Sequence, residues 1–99
     1  AAIIAAALAL ALPASASEDI VFVSWNLRNY RLQPAAAEGG RAEIPAKPAA
    51  SREAVVRTLV AISPDILGLC EIGSSDDLQH LQRSLQASGL PLPYSTLVS

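Results

Sequence analysis

The chain has 99 residues, of which 52% are hydrophobic and 16% are charged, and its formal net charge at pH 7 is −2. This composition is too apolar for a disordered chain, and the length is too short for more than one domain. The single cysteine excludes a disulfide scaffold. A net charge of −2 does not indicate a basic surface for binding nucleic acid, although a protein with this net charge can still have a local basic groove.

The first twelve residues, AAIIAAALALAL, are apolar throughout. They are shorter than the roughly 20 apolar residues of a membrane-spanning helix. Ala14-Ser15-Ala16 has the pattern of a cleavage site, and polar residues follow it. We therefore predict that residues 1–16 form a secretory signal peptide and that the protein is exported, to the periplasm or the extracellular space. The alternatives are an N-terminal membrane anchor and a buried helix.

The mature part begins with a predicted strand, Ile20–Trp25, which reads IVFVSW and is apolar on both faces except at Ser24. In the following NLRNY segment we expect the chain to leave the sheet. Residues 32–50 contain three of the seven prolines and a Gly39-Gly40 pair, which predicts a loop. The length of this loop is itself typical of functional loops.

The segment Ser51–Ser63 is predicted to be a helix, with Ser51 as its N-cap and Glu53 in its first turn. Pro64 ends the helix. Its apolar face should contain residues at helical spacing, namely Val55, Leu59 and Ile62, with Val56 and Val60 beside them.

A second strand is predicted over Asp65–Cys70, where Cys70 is expected to be a small buried core residue. The following helix should begin with Ser74 as N-cap and an acid at Asp77, and should extend to about Ser88. Its buried stripe is expected to consist of Leu78, Leu81 and Leu85.

Gly89 fits the position after a helix end, and a third strand is predicted over Tyr94–Val98. The resulting order is strand, helix, strand, helix, strand. This order predicts an α/β fold in which helices cover the faces of the sheet and the first two strands are parallel. Three strands are few for such a sheet, so we expect residues 17–99 to be the N-terminal part of a larger α/β domain.

Two polar residues lie at the carboxyl ends of the first two predicted strands. Asn26 follows the first strand and Glu71 follows the second. Because the carboxyl ends of parallel strands meet at one edge of a sheet, these side chains should lie near each other. A carboxylate and an amide oxygen suit Mg²⁺ or Mn²⁺, whereas the ordinary interpretation is two solvated strand ends.

Other residues near these strand ends have weaker claims to a functional role. Arg28 leaves the same edge and could contact a phosphate, as could Lys47 in the long loop. For both, a solvated surface charge is the alternative. Trp25 and Tyr30 are expected to pack rather than to stack on bases.

Two motifs give the sequence a resemblance to a known family. FVSWNLRNY, followed by SREAVVRTLVAISPDILGLCEIGSSDDLQHLQRSL, resembles the N-terminal third of the endonuclease/exonuclease/phosphatase superfamily. The first motif is a strand that ends in Asn (SWN), and the second is Pro-Asp, an apolar strand and Glu (PDILGLCEI). The superfamily includes DNase I-like nucleases, abasic-site endonucleases, bacterial sphingomyelinases and inositol polyphosphate phosphatases. The resemblance covers about Ile20 to Val98.

The resemblance implies that this chain is the N-terminal β-α-β-α-β portion of a DNase I-like four-layer α/β sandwich. The sandwich itself is expected to be incomplete in this chain. In the family, the Glu that falls on Glu71 ligates the catalytic metal, and the Asn that falls on Asn26 lies beside metal and phosphate. The family often has Gln where this sequence has Cys70. Its later Asp-Asn and Asp-His motifs do not occur before Ser99, and His80 is interpreted as a solvated surface residue.

The function implied is an exported Mg²⁺- or Mn²⁺-dependent phosphoesterase that hydrolyses phosphodiester bonds, most simply a nuclease. Its partner would be a phosphodiester substrate, either nucleic acid or a phospholipid head group, and no obligate protein partner is evident. The alternatives are a sphingomyelinase-like phospholipid phosphodiesterase and a non-catalytic, truncated binding or interaction module. A nucleotide-binding βαβ unit is disfavoured because no glycine-rich phosphate motif follows the first strand.

Overall fold

Four strands and two helices are present in the computed structural model, which describes residues 2–5, 19–40 and 42–98. The strands are β1 (Ala2–Ala5), β2 (Phe22–Tyr30), β3 (Ile66–Ile72) and β4 (Tyr94–Leu97), and the helices are α1 (Ala49–Ile62) and α2 (Ser75–Ala87). The sheet has the order β2-β3-β1-β4. β2 and β3 are parallel, whereas β1 is antiparallel to both of its neighbours. The α/β class and the parallel pairing of the first two predicted strands are confirmed.

Strand β1 was not predicted from the sequence. It lies inside the sheet, and the side chains of Ala2 and Ile4 are fully buried. The run of small apolar residues is compatible with either a signal-peptide core or a buried strand, because neither requires an alternating pattern. Residue 1 and residues 6–16 of the predicted signal peptide lie outside the described residues. The signal peptide therefore stays a prediction.

Strand β2 differs from its prediction at both ends. It begins at Phe22 rather than Ile20, and it continues through NLRNY to Tyr30. The prediction that the chain leaves the sheet after Trp25 is therefore wrong. The strand re-pairs with β3 beyond an irregularity, where Tyr30 is the partner of Ile72.

Helix α1 begins two residues before the predicted start. Its N-cap is Pro48, whose carbonyl oxygen accepts hydrogen bonds from the N–H groups of Ser51 and Arg52. Ser51 is thus inside the helix rather than its cap, and Glu53 lies beyond the first turn. Ser63 ends the helix in a left-handed conformation, just before Pro64.

Helix α2 follows the predicted pattern at both ends. Ser74 is the N-cap and forms a capping box with Asp77. After Ser88, Gly89 adopts a positive φ of 93°, and the N–H of Leu90 donates to the carbonyl of Leu85. The N–H of Gly89 also donates to the carbonyl of Gln86, and the two bonds form a Schellman motif, which satisfies carbonyl groups at the end of the helix.

One hydrophobic core lies between the helices and a single face of the sheet. The three leucines of the α2 stripe are buried, as are Val55 and Leu59 of α1, whereas Ile62 is 46% exposed. The core consists mainly of Ala2, Ile4, Leu27, Tyr30, Val55, Leu59, Leu67, Leu69, Leu78, Leu81, Leu85, Leu90 and Leu92.

The opposite face of the sheet is open within the described residues. Phe22 is 61% exposed, Tyr94 is 60% exposed and Ile3 is 45% exposed. Phe22 is paired with Ile66 in the sheet, and Ile3 is paired with Gly68. The prediction that helices cover both faces is therefore wrong for the described part of the chain, because α1 and α2 share one core on one side.

The long segment before α1 is a loop, as predicted. A two-way backbone bridge between Ala35 and Ile44 closes it, and Gly39 and Gly40 turn the chain with positive φ angles of 54° and 82°. Further along, the N–H of Lys47 donates to the carbonyl of Arg31. The bridge closes the loop on itself, and the Lys47 bond holds its second half against the end of β2.

Candidate functional site

A wide irregularity interrupts the β2–β3 ladder at the carboxyl ends of both strands. Asn26 is still the partner of Cys70, and the next pair is Tyr30 with Ile72. Three residues of β2 (27–29) therefore lie opposite a single residue of β3, Glu71. Such bulges redirect side chains and are common next to active sites.

The backbone around this bulge is strained. Arg28, Asn29 and Glu71 have positive φ angles of 54°, 62° and 58°. Asn tolerates this left-handed conformation, whereas Arg and Glu rarely adopt it. Strained residues cost about 1–3 kcal/mol each and tend to cluster at functional sites.

A depression of about 570 Å³ lies at this edge of the sheet, and it is lined by Trp25, Asn26, Arg28, Asn29 and Glu71. The three residues predicted for the site, Asn26, Arg28 and Glu71, are thus brought together. All three side chains are exposed. Trp25 also packs against the core, as expected, while one side of it lines the depression.

Asn29 lines the depression but was not predicted from the sequence. The sequence feature that could have indicated it is the second Asn in NLRN, because Asn is enriched at left-handed backbone positions. That signal is weak without knowledge of the bulge, since the same residue type is common in ordinary turns.

Hydrogen bonds fix the backbone of the depression. The Oδ1 atom of Asn26 accepts a bond of 2.9 Å from the N–H of Arg28. The Nζ atom of Lys47 donates to the carbonyl oxygen of Arg28 at 3.1 Å. Lys47 therefore supports the strained segment of β2, and it brings a positive charge to the same edge. Its predicted phosphate contact stays a prediction.

The donor groups of the depression fit part of a magnesium site. The exposed carboxylate of Glu71 is a hard anionic ligand, and an amide oxygen has a second lone pair beside the one that Arg28 engages on Asn26. Mg²⁺ is commonly held by one or two carboxylates, with water and substrate phosphate as its other ligands. Among the described residues, no group of three or more His, Cys, Asp and Glu side chains is placed to hold a metal.

Cys70 and His80 differ from their predicted surroundings. Cys70 is exposed, because it pairs with Asn26 on the open face of the sheet. His80 is half-buried rather than solvated, and its Nδ1 atom lies 3.0 Å from the hydroxyl of Tyr30. Burial, with Arg52 and Arg83 as smaller causes, lowers the pKa of His80. Burial raises the pKa of Tyr30 to about 12.

Asp77 joins α2 to the end of β2. Its Oδ1 atom accepts a hydrogen bond from the N–H of Leu32, and its Oδ2 atom accepts bonds from the N–H and hydroxyl of Ser74. The side chain is only 5% exposed. A Cβ atom at Gly73 would collide with the Asp77 carboxylate, so only glycine fits there. Asp77 thus has the structural role expected of it.

Comparison with known proteins yields no match, whether to a family model, to a curated protein or to a solved structure. Neither of the two helices in the described part of the chain has the length and apolar character of a membrane span.

Proposed function

We propose that this chain is the N-terminal part of an exported, divalent-metal-dependent phosphodiesterase of the endonuclease/exonuclease/phosphatase type. The observation that carries the proposal is the depression at the sheet edge, where Asn26, Arg28 and Glu71 meet beside a strained bulge. Asn26 and Glu71 belong to two sequence motifs that are separated by helix α1. Their meeting at one site supports a shared function.

In this proposal Glu71 and Asn26 hold Mg²⁺ or Mn²⁺, and Arg28 contacts the phosphate of the substrate. The bound metal would polarise a phosphoryl oxygen and stabilise the charge that develops on it. The guanidinium of Arg28 supplies a second positive group, with planar geometry suited to two phosphate oxygens. The bulge keeps these side chains aimed at the solvent-exposed depression.

The open face of the sheet supports the DNase I-like sandwich as the fold of the whole protein. Exposed Phe22 and Tyr94, which both lie outside the predicted signal peptide, leave an apolar surface on the side that no described helix covers. Contiguous apolar surface of this kind usually packs against another element or protein. In the proposed four-layer fold, a second sheet covers it.

The substrate we propose is nucleic acid, and a phospholipid head group is the alternative. The rate of DNA or RNA hydrolysis at low substrate concentration should fall steeply as the salt concentration rises. The reason is that binding to a polyanion releases counterions, so the affinity falls with salt. Hydrolysis of sphingomyelin in neutral vesicles should depend far less on salt. Both rates of hydrolysis are measured at salt concentrations from about 50 to about 200 mM, where affinity for nucleic acid falls steeply. The substrate whose hydrolysis shows this fall is nucleic acid.

The central test removes the carboxylate of Glu71. In the full-length protein, Glu71→Gln should lower kcat/KM for bis(p-nitrophenyl) phosphate by roughly 100-fold or more, which is the usual effect of losing one catalytic electrostatic group. EDTA should abolish the activity, and added Mg²⁺ should restore it. The matched control is Asp76→Asn, which removes an exposed carboxylate outside the depression and should leave the rate unchanged.

Two outcomes contradict the proposal. Full activity of Glu71→Gln would show that this carboxylate has no catalytic role, and full activity in EDTA would exclude a metal-dependent reaction. A full-length wild-type protein that hydrolyses neither nucleic acid nor phospholipid would instead favour the non-catalytic binding module.

A further inference from the structure

A second concave region lies between α1 and α2, on the helical side of the sheet. It is a cleft of about 540 Å³, and it shares none of its lining residues with the depression at the strand ends. Its polar lining residues include Arg52 and Arg57 of α1 and His80 and Ser84 of α2, and its apolar lining residues include Val56 and Ala87. No role in the proposed hydrolysis falls to any of these residues.

The charges of the cleft favour an anion. Arg52 and Arg57 contribute two guanidinium groups, and Glu53 contributes one carboxylate to the same lining. These three side chains leave the cleft with an excess of one positive charge. The Nη1 atom of Arg52 donates to the carbonyl oxygen of Lys47 at 2.6 Å, which holds this guanidinium in place against the loop. A fixed guanidinium loses less conformational entropy when it binds an anion.

His80 adds a directed donor. One ring nitrogen, Nδ1, is engaged with the hydroxyl of the buried Tyr30. When this hydroxyl donates, the neutral imidazole carries its proton on Nε2, which is then a second donor on the cleft wall. The residues that act on the His80 charge are Arg52 from α1 and Arg83 and Asp77 from α2. Burial is the largest cause of the lowered pKa of His80; the two arginines lower it further, and Asp77 opposes them.

We propose that the α1–α2 cleft binds a small organic phosphate. Its phosphate group would lie among Arg52, Arg57 and His80, and its apolar part would pack against Val56 and Ala87. A volume of about 540 Å³ is larger than inorganic phosphate requires and falls in the range of sites for small organic ligands. This site is independent of the proposed phosphodiesterase centre.

Isothermal titration of the protein with phenyl phosphate tests the proposal. We expect saturable binding, and much weaker binding of both phenol and inorganic phosphate, each of which lacks one half of the ligand. Arg57→Gln should raise Kd about tenfold, the effect of losing one charge-assisted hydrogen bond. Arg57 is exposed, so this substitution should leave folding intact.

Two matched variants make the test specific to the cleft. Arg83→Gln makes the same change in charge on α2 but lies outside the lining, so Kd should change less than about twofold. Arg28→Gln removes the arginine of the sheet-edge depression and should leave Kd unchanged. Weakening by Arg28→Gln instead of Arg57→Gln, equal effects of Arg57→Gln and Arg83→Gln, equal binding of phenol, or no saturable binding would each overturn the proposal.

NMR titration of His80 gives an independent readout. An anion in the cleft should raise the pKa of the imidazole, because a nearby negative charge favours the protonated form against the burial and the two arginines that now lower this pKa. By linkage, protonation of His80 should tighten binding as pH falls through its pKa, once the measured Kd is corrected for protonation of the phosphate itself, whose second pKa lies at about 6. An unchanged His80 titration at saturating ligand would contradict binding beside this residue.

Discussion

Charge and backbone strain coincide at Glu71, as they also do at Arg28. Its carboxylate is exposed at the depression, and its φ of 58° is rare for a residue with a long side chain. The conformation follows from the bulge, because Glu71 alone lies opposite three residues of β2. Neither burial nor packing of the side chain favours glutamate at this position. The strain is consistent with the role proposed for Glu71, because strained residues cluster at functional sites.

The strain at Glu71 can be measured by comparing two substitutions. Glu71→Gly and Glu71→Gln both remove the carboxylate, but only glycine adopts a positive φ without steric cost. We expect the glycine variant to be more stable than the glutamine variant by about 1 kcal/mol in urea unfolding, since relief of strain exceeds the added entropy of the unfolded chain. Equal stabilities would mean that position 71 stores no strain. The control is Asn29→Gly compared with the wild type, which should show a smaller gain in stability, because asparagine already tolerates a positive φ.

At the scale of elements, the N-terminus of α2 is the best-defined junction in the fold. The capping box at Ser74 and Asp77 satisfies N–H groups of the first turn, as its sequence pattern predicts. The same carboxylate also accepts the N–H of Leu32, which lies 45 residues earlier. Asp77 therefore determines where the long loop leaves the sheet, and this loop carries Lys47 back to the candidate site.

Substitutions at this junction should have unequal effects. Ser74→Ala should lower the free energy of unfolding by about 1 kcal/mol, the usual effect of losing an N-cap. Asp77→Ala should lower it by about 2–3 kcal/mol, because it also leaves the N–H of Leu32 without its charged acceptor. Asp76→Ala, at an exposed acid in the same turn, is the control and should cost less than about 0.5 kcal/mol. Chemical denaturation measures all three, and equal losses for Asp76→Ala and Asp77→Ala would show that the link to Leu32 contributes nothing.

At the scale of the whole molecule, residues 2–5 have two competing interpretations. The sequence predicts that they belong to a cleaved signal peptide, whereas the structure places them as β1 between β3 and β4. If cleavage follows Ala16, the mature protein lacks this strand, and facing edges of β3 and β4 become free to pair. N-terminal sequencing of the exported protein tests cleavage directly, with Ser17 as the expected first residue.

The role of β1 in the uncleaved chain can be tested with two neighbouring isoleucines. Ile4 is fully buried, whereas Ile3 is 45% exposed on the open face. Ile4→Ala should lower the free energy of unfolding by about 2–5 kcal/mol, and Ile3→Ala should have a much smaller effect. Thermal or urea unfolding measures the difference. Equal and small effects would show that β1 does not form part of the sheet.

Local patterns in the sequence determined the helices, the parallel β2–β3 pair and the cap of α2. These features depend on apolar spacing and on turn chemistry within a few residues, so SDDLQHLQRSL predicts its own helix, its buried leucines and its cap. The same reasoning placed Asn26 and Glu71 just after their strands, whereas the structure has both residues within β2 and β3, beside the bulge. Cys70 was wrongly predicted to be buried, because its neighbours in the sequence are apolar. Alternate residues of a strand point to opposite faces of the sheet, and Cys70 lies on the open face.

The tertiary structure alone decided the bulge, the open face and the surroundings of His80. The bulge arises from the register of two strands separated by a helix, and no local pattern specifies how many residues lie opposite Glu71. The contact of Tyr30 with His80 joins residues 50 positions apart. Such pairings depend on which faces meet when the core closes, whereas the capping box of α2 depends only on neighbouring residues.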